Sequence, residues 1–375
     1  MPTTAAQANP MAKAILTLNA GSSSVKFGVF DAAQEPQELA SGQVENLGAN
    51  AQLLFDGQTF SLGTTDHVAA VSAILDTVSP VLGERQVGGV GHRIVHGGID
   101  FDKPTELTWP VMDALGELIP LAPLHQPHNL AAARAAIEAF PKAIQIGCFD
   151  TSFHRDHSWV NDTFAIPRKY YDQGVRRYGF HGLSYSFIAS EIARSYPDLH
   201  DGRVVVCHLG NGASMCAMRA GRSVASSMGF SALDGLPMGT RSGYIDPGVL
   251  LYLMEHDGLD AAALTNLLYK ESGMKGLSGL THDMRDLLAS HAPQAKQAVD
   301  YYVHRIQLEI GAMAAALKGL DAIVFCGGVG ENAPIIRDRI AQGMAWMGVG
   351  DDIPVLVIET DEERVIARAV TRAIS

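Results

Sequence analysis

Residues 15–30 alternate apolar and polar positions, break at Ala20-Gly21-Ser22-Ser23-Ser24, and resume as Val25-Lys26-Phe27-Gly28-Val29-Phe30. Period-two alternation around a glycine- and serine-rich break predicts a β-hairpin with a polar tip. A similar arrangement returns at 204–218, where Val204-Val205-Val206-Cys207 runs into His208-Leu209-Gly210-Asn211-Gly212-Ala213-Ser214. Pairing Leu18-Asn19-Ala20-Gly21-Ser22-Ser23 with Leu209-Gly210-Asn211-Gly212-Ala213-Ser214 suggests a distant internal duplication, although chance can also produce two such turns. Helical periodicity covers 129–140, 184–196 and a long amphipathic stretch, 295–318, that Gly319 is expected to end. Short apolar runs at 143–149 and 322–326 read as strands, the second entering the glycine-rich turn Gly327-Gly328-Val329-Gly330-Glu331-Asn332. This alternation of strands and helices predicts α/β architecture.

A chain of 375 residues exceeds the usual limit for one hydrophobic core, so two domains flanking a cleft are expected. The boundary is placed near residue 151, giving a disordered tail 1–12, an N-terminal domain 13–150 and a C-terminal domain 151–375. The terminal helix after residue 360 is left free to pack back on the first domain. The apolar fraction of 47% supports large cores and argues against a disordered chain. A formal net charge of -12 disfavours nucleic-acid and anionic-membrane partners, so any phosphate site must be local. Cys148, Cys207, Cys216 and Cys326 form no CxxC pair and read as reduced core residues. The first dozen residues lack the features of a signal or transit peptide, and no apolar run approaches the roughly 20 residues that span a bilayer. A cytoplasmic location is therefore expected.

Glycine lets a backbone approach phosphate oxygens, and three glycine-rich turns follow apolar strands here. Each alone reads as an ordinary tight turn; together they favour nucleotide binding. The Walker A pattern and the dinucleotide GxGxxG spacing are both absent. Arg93 and Arg241 are flanked by glycines, and a guanidinium binds carboxylate or phosphate in bidentate fashion where a ligand can come close. A surface arginine beside a turn explains each equally well. The pairs His92/His96, His125/His128 and His154/His157 invite a zinc reading, but His92 and His96 lie on a predicted strand, where a four-residue offset spans about 13 Å. Structural histidines are preferred for these pairs. His181, between glycines, is open to a catalytic or a buried structural role. Asp150 sits at the carboxyl end of a predicted strand, where α/β active sites collect. Glu362, at a helix start, reads from composition alone as a solvated acid.

The segments Asn19-Ala20-Gly21-Ser22-Ser23-Ser24-Val25-Lys26 and Gly91-His92-Arg93-Ile94-Val95-His96-Gly97-Gly98 resemble the signatures of the acetate kinase family. Phe149-Asp150-Thr151-Ser152-Phe153-His154, 177–182, 208–214, 238–243 and 327–332 look like that family's further blocks, in its order, across nearly the whole chain after Lys13. The resemblance implies a duplicated actin-like and sugar-kinase-like ATPase fold, two domains flanking a nucleotide cleft, and a homodimer. It implies reversible transfer of the ATP γ-phosphoryl group to acetate, giving acetyl phosphate and ADP, a reaction of acetyl-CoA biosynthesis. Mg2+, with Mn2+ as a substitute, would be held by Asn19 and Glu362. Lys26, Ser22 and Ser24 would face nucleotide phosphates. His208, Leu209, Gly210, Asn211, Gly212, Asp283, Met284, Arg285, Gly328, Val329, Gly330, Glu331 and Asn332 would contact ATP. Arg93 and Arg241 would bind the carboxylate and its phosphorylated product, with Val95, Leu124, Phe180 and Ala232 around the acyl chain. Asp150 and His181 correspond to the remaining catalytic positions.

A carboxylic acid with a pKa of about 4 is ionised at neutral pH, so the nucleophile needs no general base. Asp150 is accordingly expected to orient an arginine, a metal-bound water or the acyl group, and transfer to be direct and in line. The chain departs from the family pattern in looking shorter after Val44 and from 348 to 355. It also departs at Gln126, Ala232 and Tyr244, where asparagine, proline and aspartate are usual. These departures bear on substrate preference, so propionate or butyrate kinases are rival readings, as is an actin-like nucleotide-binding protein without transfer chemistry.

Overall fold

In the computed structural model, which describes residues 13–21 and 23–375, the first expected hairpin is β1 (Lys13–Ala20) antiparallel to β2 (Val25–Asp31), with Asn19 opposite Lys26. The expectations for residues 1–12 and for Ser22 fall outside the described residues. Beyond β2 the sheet continues antiparallel through β3 (Glu38–Glu45), β4 (Gly48–Phe55) and β5 (Gln58–Thr65), strands the sequence pattern did not reveal. On the other side of β1 lie β6 (Gln86–Ile94) and β8 (Ile144–Phe149), both parallel, with the two-residue β7 (Thr105–Glu106) at the edge. Helices α1 (His67–Leu82) and α2 (Gln126–Ala139) cover one face, where Leu16, Phe27, Val71, Ile74, Val90 and Ala136 share a core.

The opposite face of β6 receives the terminal helix, Glu362–Ile374. Side chains alternate across a strand, so Val90 enters the core under α1 and α2 while Gly89 and Gly91 face the terminal helix. A Cβ on Gly89 would fall inside Val370, and one on Gly91 inside Ile366 and Val370. The glycines thus let helix and sheet approach closely, and they fix where Glu362 begins.

A second sheet has the order β11-β10-β9-β12-β13, formed by β9 (Arg203–Leu209), β10 (Ala213–Arg219), β11 (Arg222–Ser226), β12 (Ala322–Cys326) and β13 (Val355–Val357). Its β9, β10 and β11 are antiparallel neighbours, and β12 and β13 continue parallel to β9. In the first sheet, β3-β2-β1-β6-β8 has the same order and the same strand directions. The duplication suggested by two turns therefore extends through a five-stranded core in each sheet. Helices α3 (Gly182–Ser195), α4 (Pro247–His256) and α5 (Pro293–Leu317) belong with the second sheet.

Two expected boundaries differ. The left-handed cap of α5 is Lys318, with φ 60°, and not Gly319. Gly319 serves space instead, because a Cβ there would enter the Arg203 guanidinium that pairs with Asp321. The Gly327–Asn332 segment, expected as a turn, is a six-residue helix. The chain divides into two compact units, one comprising the described residues up to Phe149 together with Glu362–Ser375, the other Asp150–Asp361. No helix among the described residues is long and apolar enough to cross a membrane.

Overpacking of this kind costs about 1–3 kcal/mol, so Gly91→Ala should melt measurably below wild type, and adding Ile366→Ala should recover part of the loss. Thermal unfolding of the single and double variants checks this; a Gly91→Ala melt equal to wild type would contradict so close a contact.

Candidate active site

In the first unit, the end of β1, the end of β6 and the start of the terminal helix bring three expected residues together. Arg93 Nη1 donates to Asn19 Oδ1 at 3.1 Å, Asn19 Nδ2 donates to Glu362 Oε2 at 3.5 Å, and Arg93 Nε lies 4.0 Å from the same oxygen. Glu362 is thus no freely solvated acid: its side chain is 15% exposed. The adjacent turn is closed by Gly21 N–H to the Ser24 carbonyl at 2.7 Å. Two residues outside the sequence assignments hold that turn. Asn129 donates to the Ala20 carbonyl at 2.5 Å and accepts from Val95 N–H at 2.9 Å, tying the turn to the Arg93 segment. His67 Nε2 bonds the Gly21 carbonyl at 2.7 Å, and its ring stacks on His128. Lys26 is exposed and lines an open groove with Glu38, Gln58 and Glu363. Val95 is buried and Leu124 half-buried. Gln126, at one departure from the family pattern, is buried and bonds the His96 backbone through both its oxygen and its nitrogen.

In the second unit, His181 takes the left-handed conformation at the N-cap of α3, with φ 56°. The following Gly182 N–H bonds the carbonyl of Asp150, which is 1% exposed, so Asp150 and His181 are held in adjacent segments. A Cβ built on Gly212 would lie 2.8 Å from Arg241 Nη2 and 3.3 Å from His181 Nε2. Arg241 and His181 therefore converge on the turn between β9 and β10. Arg241 also donates to the Ala232 carbonyl at 2.7 Å, and the buried Phe180 carbonyl meets His154 Nε2 at 3.0 Å.

Flanking glycines marked both arginines in the sequence, on the argument that they admit a ligand. Their geometry gives a different reason. The Cβ positions of Gly91 and Gly97 are filled by Ile366 and by Phe101 with Phe149, and those of Gly239 and Gly243 by Asn211 and Leu236. These glycines make room for protein.

A pocket of about 660 Å³ in the second unit is lined by Gly210, Asn211, Asp283, Met284, Arg285, Gly328, Val329 and Asn332, with Met274, Tyr302 and Ile335 among its apolar walls. Asp283 caps a short helix, Met284–Ala289, and its bonds from the Arg285 side chain and backbone pull its carboxyl down to about 2. Of the residues expected at ATP, His208, Leu209, Gly212, Gly330 and Glu331 are not on the pocket's lining. His208 and Leu209 end β9, and Gly330 packs on Leu209. Glu331 Oε1 is engaged by Gly327 N–H at 2.8 Å and Thr360 N–H at 3.1 Å, so its carboxylate faces backbone.

Residues 14–373 match the family model described as the acetokinase family. The chain belongs to the acetokinase family. It is 49% identical to an acetate kinase of Methylocella silvestris, covering 96% of this chain and 97% of that one. With an acetate kinase of Nitrobacter hamburgensis it shares 48% identity over 94% of each chain. Among solved structures, a propionate kinase from Francisella tularensis superposes with TM-score 0.89 at 33% identity, covering 95% of this chain and 98% of that one. An acetate kinase from Porphyromonas gingivalis does so with 0.87 at 36%, covering 97% and 100%. The fold is thus that of acetokinase-family enzymes, and the chain is an enzyme of this kind.

Among the paired histidines, His92, His154 and His157 bond side chains within the protein. His92 bonds Gln145 at 2.9 Å, yet burial lowers its pKa to about 4. His154 Nε2–H donates to the Phe180 carbonyl, so its Nδ1 accepts from the Ser223 hydroxyl at 2.7 Å, and that hydroxyl also meets His157 Nε2 at 2.7 Å. Burial pushes His154 down to about 3, helped by His157, and His157 down to about 4, helped by Arg155. No cluster of three or more His, Cys, Asp or Glu suited to a metal occurs among the described residues. All three folded-state pKa values lie below the unfolded value of about 6.5, so the stability held by the neutral rings is complete above that pH. It is lost as pH falls toward 4, at up to about 1.4 kcal/mol per pH unit for each ring. Urea unfolding at pH 7, 6 and 5, where most carboxylates stay ionised, should give steadily falling stability; a flat profile would contradict three neutral buried rings.

Proposed function

We propose that this acetokinase-family enzyme transfers the γ-phosphoryl group of ATP to acetate by direct in-line attack, reversibly forming acetyl phosphate and ADP. The observation that carries the reading is the convergence of His181 and Arg241 on the glycine turn of the nucleotide-sized pocket. An acetate oxygen attacks the γ-phosphorus, the bond from that phosphorus to the β–γ bridging oxygen breaks, and ADP carries that oxygen away. Phosphoryl transfer demands alignment and charge stabilisation more than proton transfer, and two arginines with a histidine N–H supply both. Arg93 and Arg241 bind the carboxylate and the transferring phosphoryl group, while Asp150 orients one of these groups without removing a proton.

Asn19 and Glu362 would hold Mg2+ through the amide oxygen, which here accepts from Arg93 Nη1, and the carboxylate, which here meets Asn19 Nδ2; such oxygen donors suit an ion that uses few protein ligands beside substrate phosphates. When bound, the ion neutralises charge on the nucleotide phosphates. Lys26 and Ser24 add donors for phosphate, and the pocket lined by Asn211, Asp283 and Asn332 takes the nucleoside.

This reading assigns the acyl group to Val95 and Leu124 of one unit and Phe180 and Ala232 of the other. One added methylene is worth about 0.8 kcal/mol on burial, so acetate should lead, propionate follow within roughly 10-fold to 100-fold in kcat/KM, and butyrate trail. A hydroxamate assay with ATP, Mg2+ and the three acids tests this together with the arginines. Arg93→Ala and Arg241→Ala should each lower turnover roughly 100-fold or more with circular dichroism unchanged. Turnover near wild type in either variant, or butyrate ahead of acetate, would sink the assignment.

The reading extends to a homodimer. Helix α4 buries none of its residues, although it carries Val249, Leu251, Tyr252 and Met254, of which Leu251 is 60% and Tyr252 56% exposed. A second copy of the chain is proposed to cover this face. Light scattering after size exclusion should give twice the 40.0 kDa chain mass, falling to one chain mass in Leu251→Glu/Tyr252→Glu. A monomeric wild type would refute it. The four cysteines, all buried and none in a disulfide, support a reducing compartment, the cytoplasm.

A further inference from the structure

His181 and His208 stack with ring centroids 4.3 Å apart and planes at 20°. Their Nε2 atoms flank one turn: a Cβ on Gly212 would lie 3.3 Å from His181 Nε2, and one on Gly210 3.8 Å from His208 Nε2. Whether those nitrogens donate or accept depends on what holds the two Nδ1 atoms. Ser214 of β10, itself bonded to Tyr185, holds one, and Ser184 holds the other. His181 Nδ1 lies 2.8 Å from Ser214 Oγ, which lies 2.5 Å from Tyr185 Oη. His208 Nδ1 lies 2.8 Å from Ser184 Oγ, which accepts from the Thr360 hydroxyl at 2.9 Å.

At the first ring the direction of the bonds follows from which hydrogen has nowhere else to go. Tyr185 is fully buried and, among the described residues, its hydroxyl bonds only Ser214. If His181 Nδ1–H donated to Ser214, Ser214 would donate to Tyr185, and the phenolic hydrogen would be buried unmade at its full desolvation cost. The reverse order satisfies every group: Tyr185 donates to Ser214 and Ser214 to His181 Nδ1. Burial keeps the phenol protonated by raising it well above its ordinary range. At the second ring, Thr360 donates to Ser184, and the Ser184 hydrogen has two acceptors in reach, His208 Nδ1 at 2.8 Å and the weakly accepting Cys326 Sγ at 3.7 Å, of which the nearer nitrogen is the stronger. The Cys326 thiol lies 3.8 Å from the same nitrogen and, as a donor, adds to that direction.

We propose that Tyr185–Ser214 and Thr360–Ser184 are positioning pairs that lock His181 and His208 as Nε2–H tautomers, aiming two parallel N–H donors at the Gly210–Gly212 turn where the transferring phosphoryl group is expected. Ser184 and Tyr185, consecutive on α3, thereby set the two rings as one unit. The inference rests on the functional reading for its phosphoryl group, but its geometry stands apart from activity.

Long-range 1H–15N spectra of histidine-labelled protein at neutral pH read the tautomers, with signals assigned by His181→Gln and His208→Gln. Wild type should show protonated Nε2 and unprotonated Nδ1 at both rings. Tyr185→Phe removes one oxygen atom and should turn His181 into a tautomer mixture. It should lower kcat roughly 10-fold to 100-fold while KM for ATP and acetate stays within about 2-fold. Ser184→Ala should do the same at His208, and Ser214→Thr, which keeps the hydroxyl, should retain the wild-type His181 signal where Ser214→Ala loses it. An Nδ1–H signal at either ring in wild type overturns the proposal, as does Tyr185→Phe with unchanged tautomer and kcat. A wild-type chain that shows both Nε2–H signals but forms no acetyl phosphate overturns the functional reading and leaves the tautomer assignment standing.

Discussion

The contact of the terminal helix with the glycines of β6 is the constraint on which the first unit depends. An acidic side chain held beside an arginine and an asparagine is useful only if its helix begins at one place. Gly89 and Gly91 set that place by admitting Val370 and Ile366 where a side chain would stand. Glu362 then meets Asn19 and Arg93 as a matter of helix geometry, from a position 343 residues along the chain from Asn19. Close packing of this kind has few soft alternatives, because interiors are dense and one added carbon is felt.

The second unit solves the corresponding problem with polar bonds. Its turn between β9 and β10 has glycines on either side of Asn211, and the groups that converge on it are carried by loops and a helix start. Such groups are precise only if their partners are fixed. His154 fixes the Phe180 carbonyl, Asp150 fixes the start of α3 through its own carbonyl, and Ala232 holds Arg241. The five-stranded core is common to both units, yet one copy presents an ion pair and an amide while the other presents a histidine and an arginine. A duplicated scaffold has thus been furnished with two different chemistries.

What the sequence disclosed follows the reach of each signal. The hairpins around Gly21 and Asn211, strand β12 and helix α3 were legible because alternation, turn chemistry and helical period act over a few residues. Strands β3 to β5 were not, since β3 is mostly polar on both faces and β5 is exposed along most of its length. Family blocks named Asn19, Arg93, Glu362, His181 and Arg241, but nothing local announced that Asn129 would tie the Ala20 carbonyl to Val95, or that Gly91 would serve a helix and not a ligand. Lys318 likewise took the left-handed cap expected of Gly319, because the adjacent glycine was needed to clear Arg203. In each case a contact across the sequence overrode a local preference.

The central claim is that a carboxylate oxygen attacks the γ-phosphorus of ATP. Turnover of acetate carrying 18O in both oxygens, followed by 31P spectroscopy of the acyl phosphate, reads the bonds directly. The account predicts acetyl phosphate whose bridging oxygen is 18O, shifted as a single species, with ADP as the co-product. Acetyl phosphate with an unlabelled bridge, or AMP and pyrophosphate in place of ADP, would contradict it.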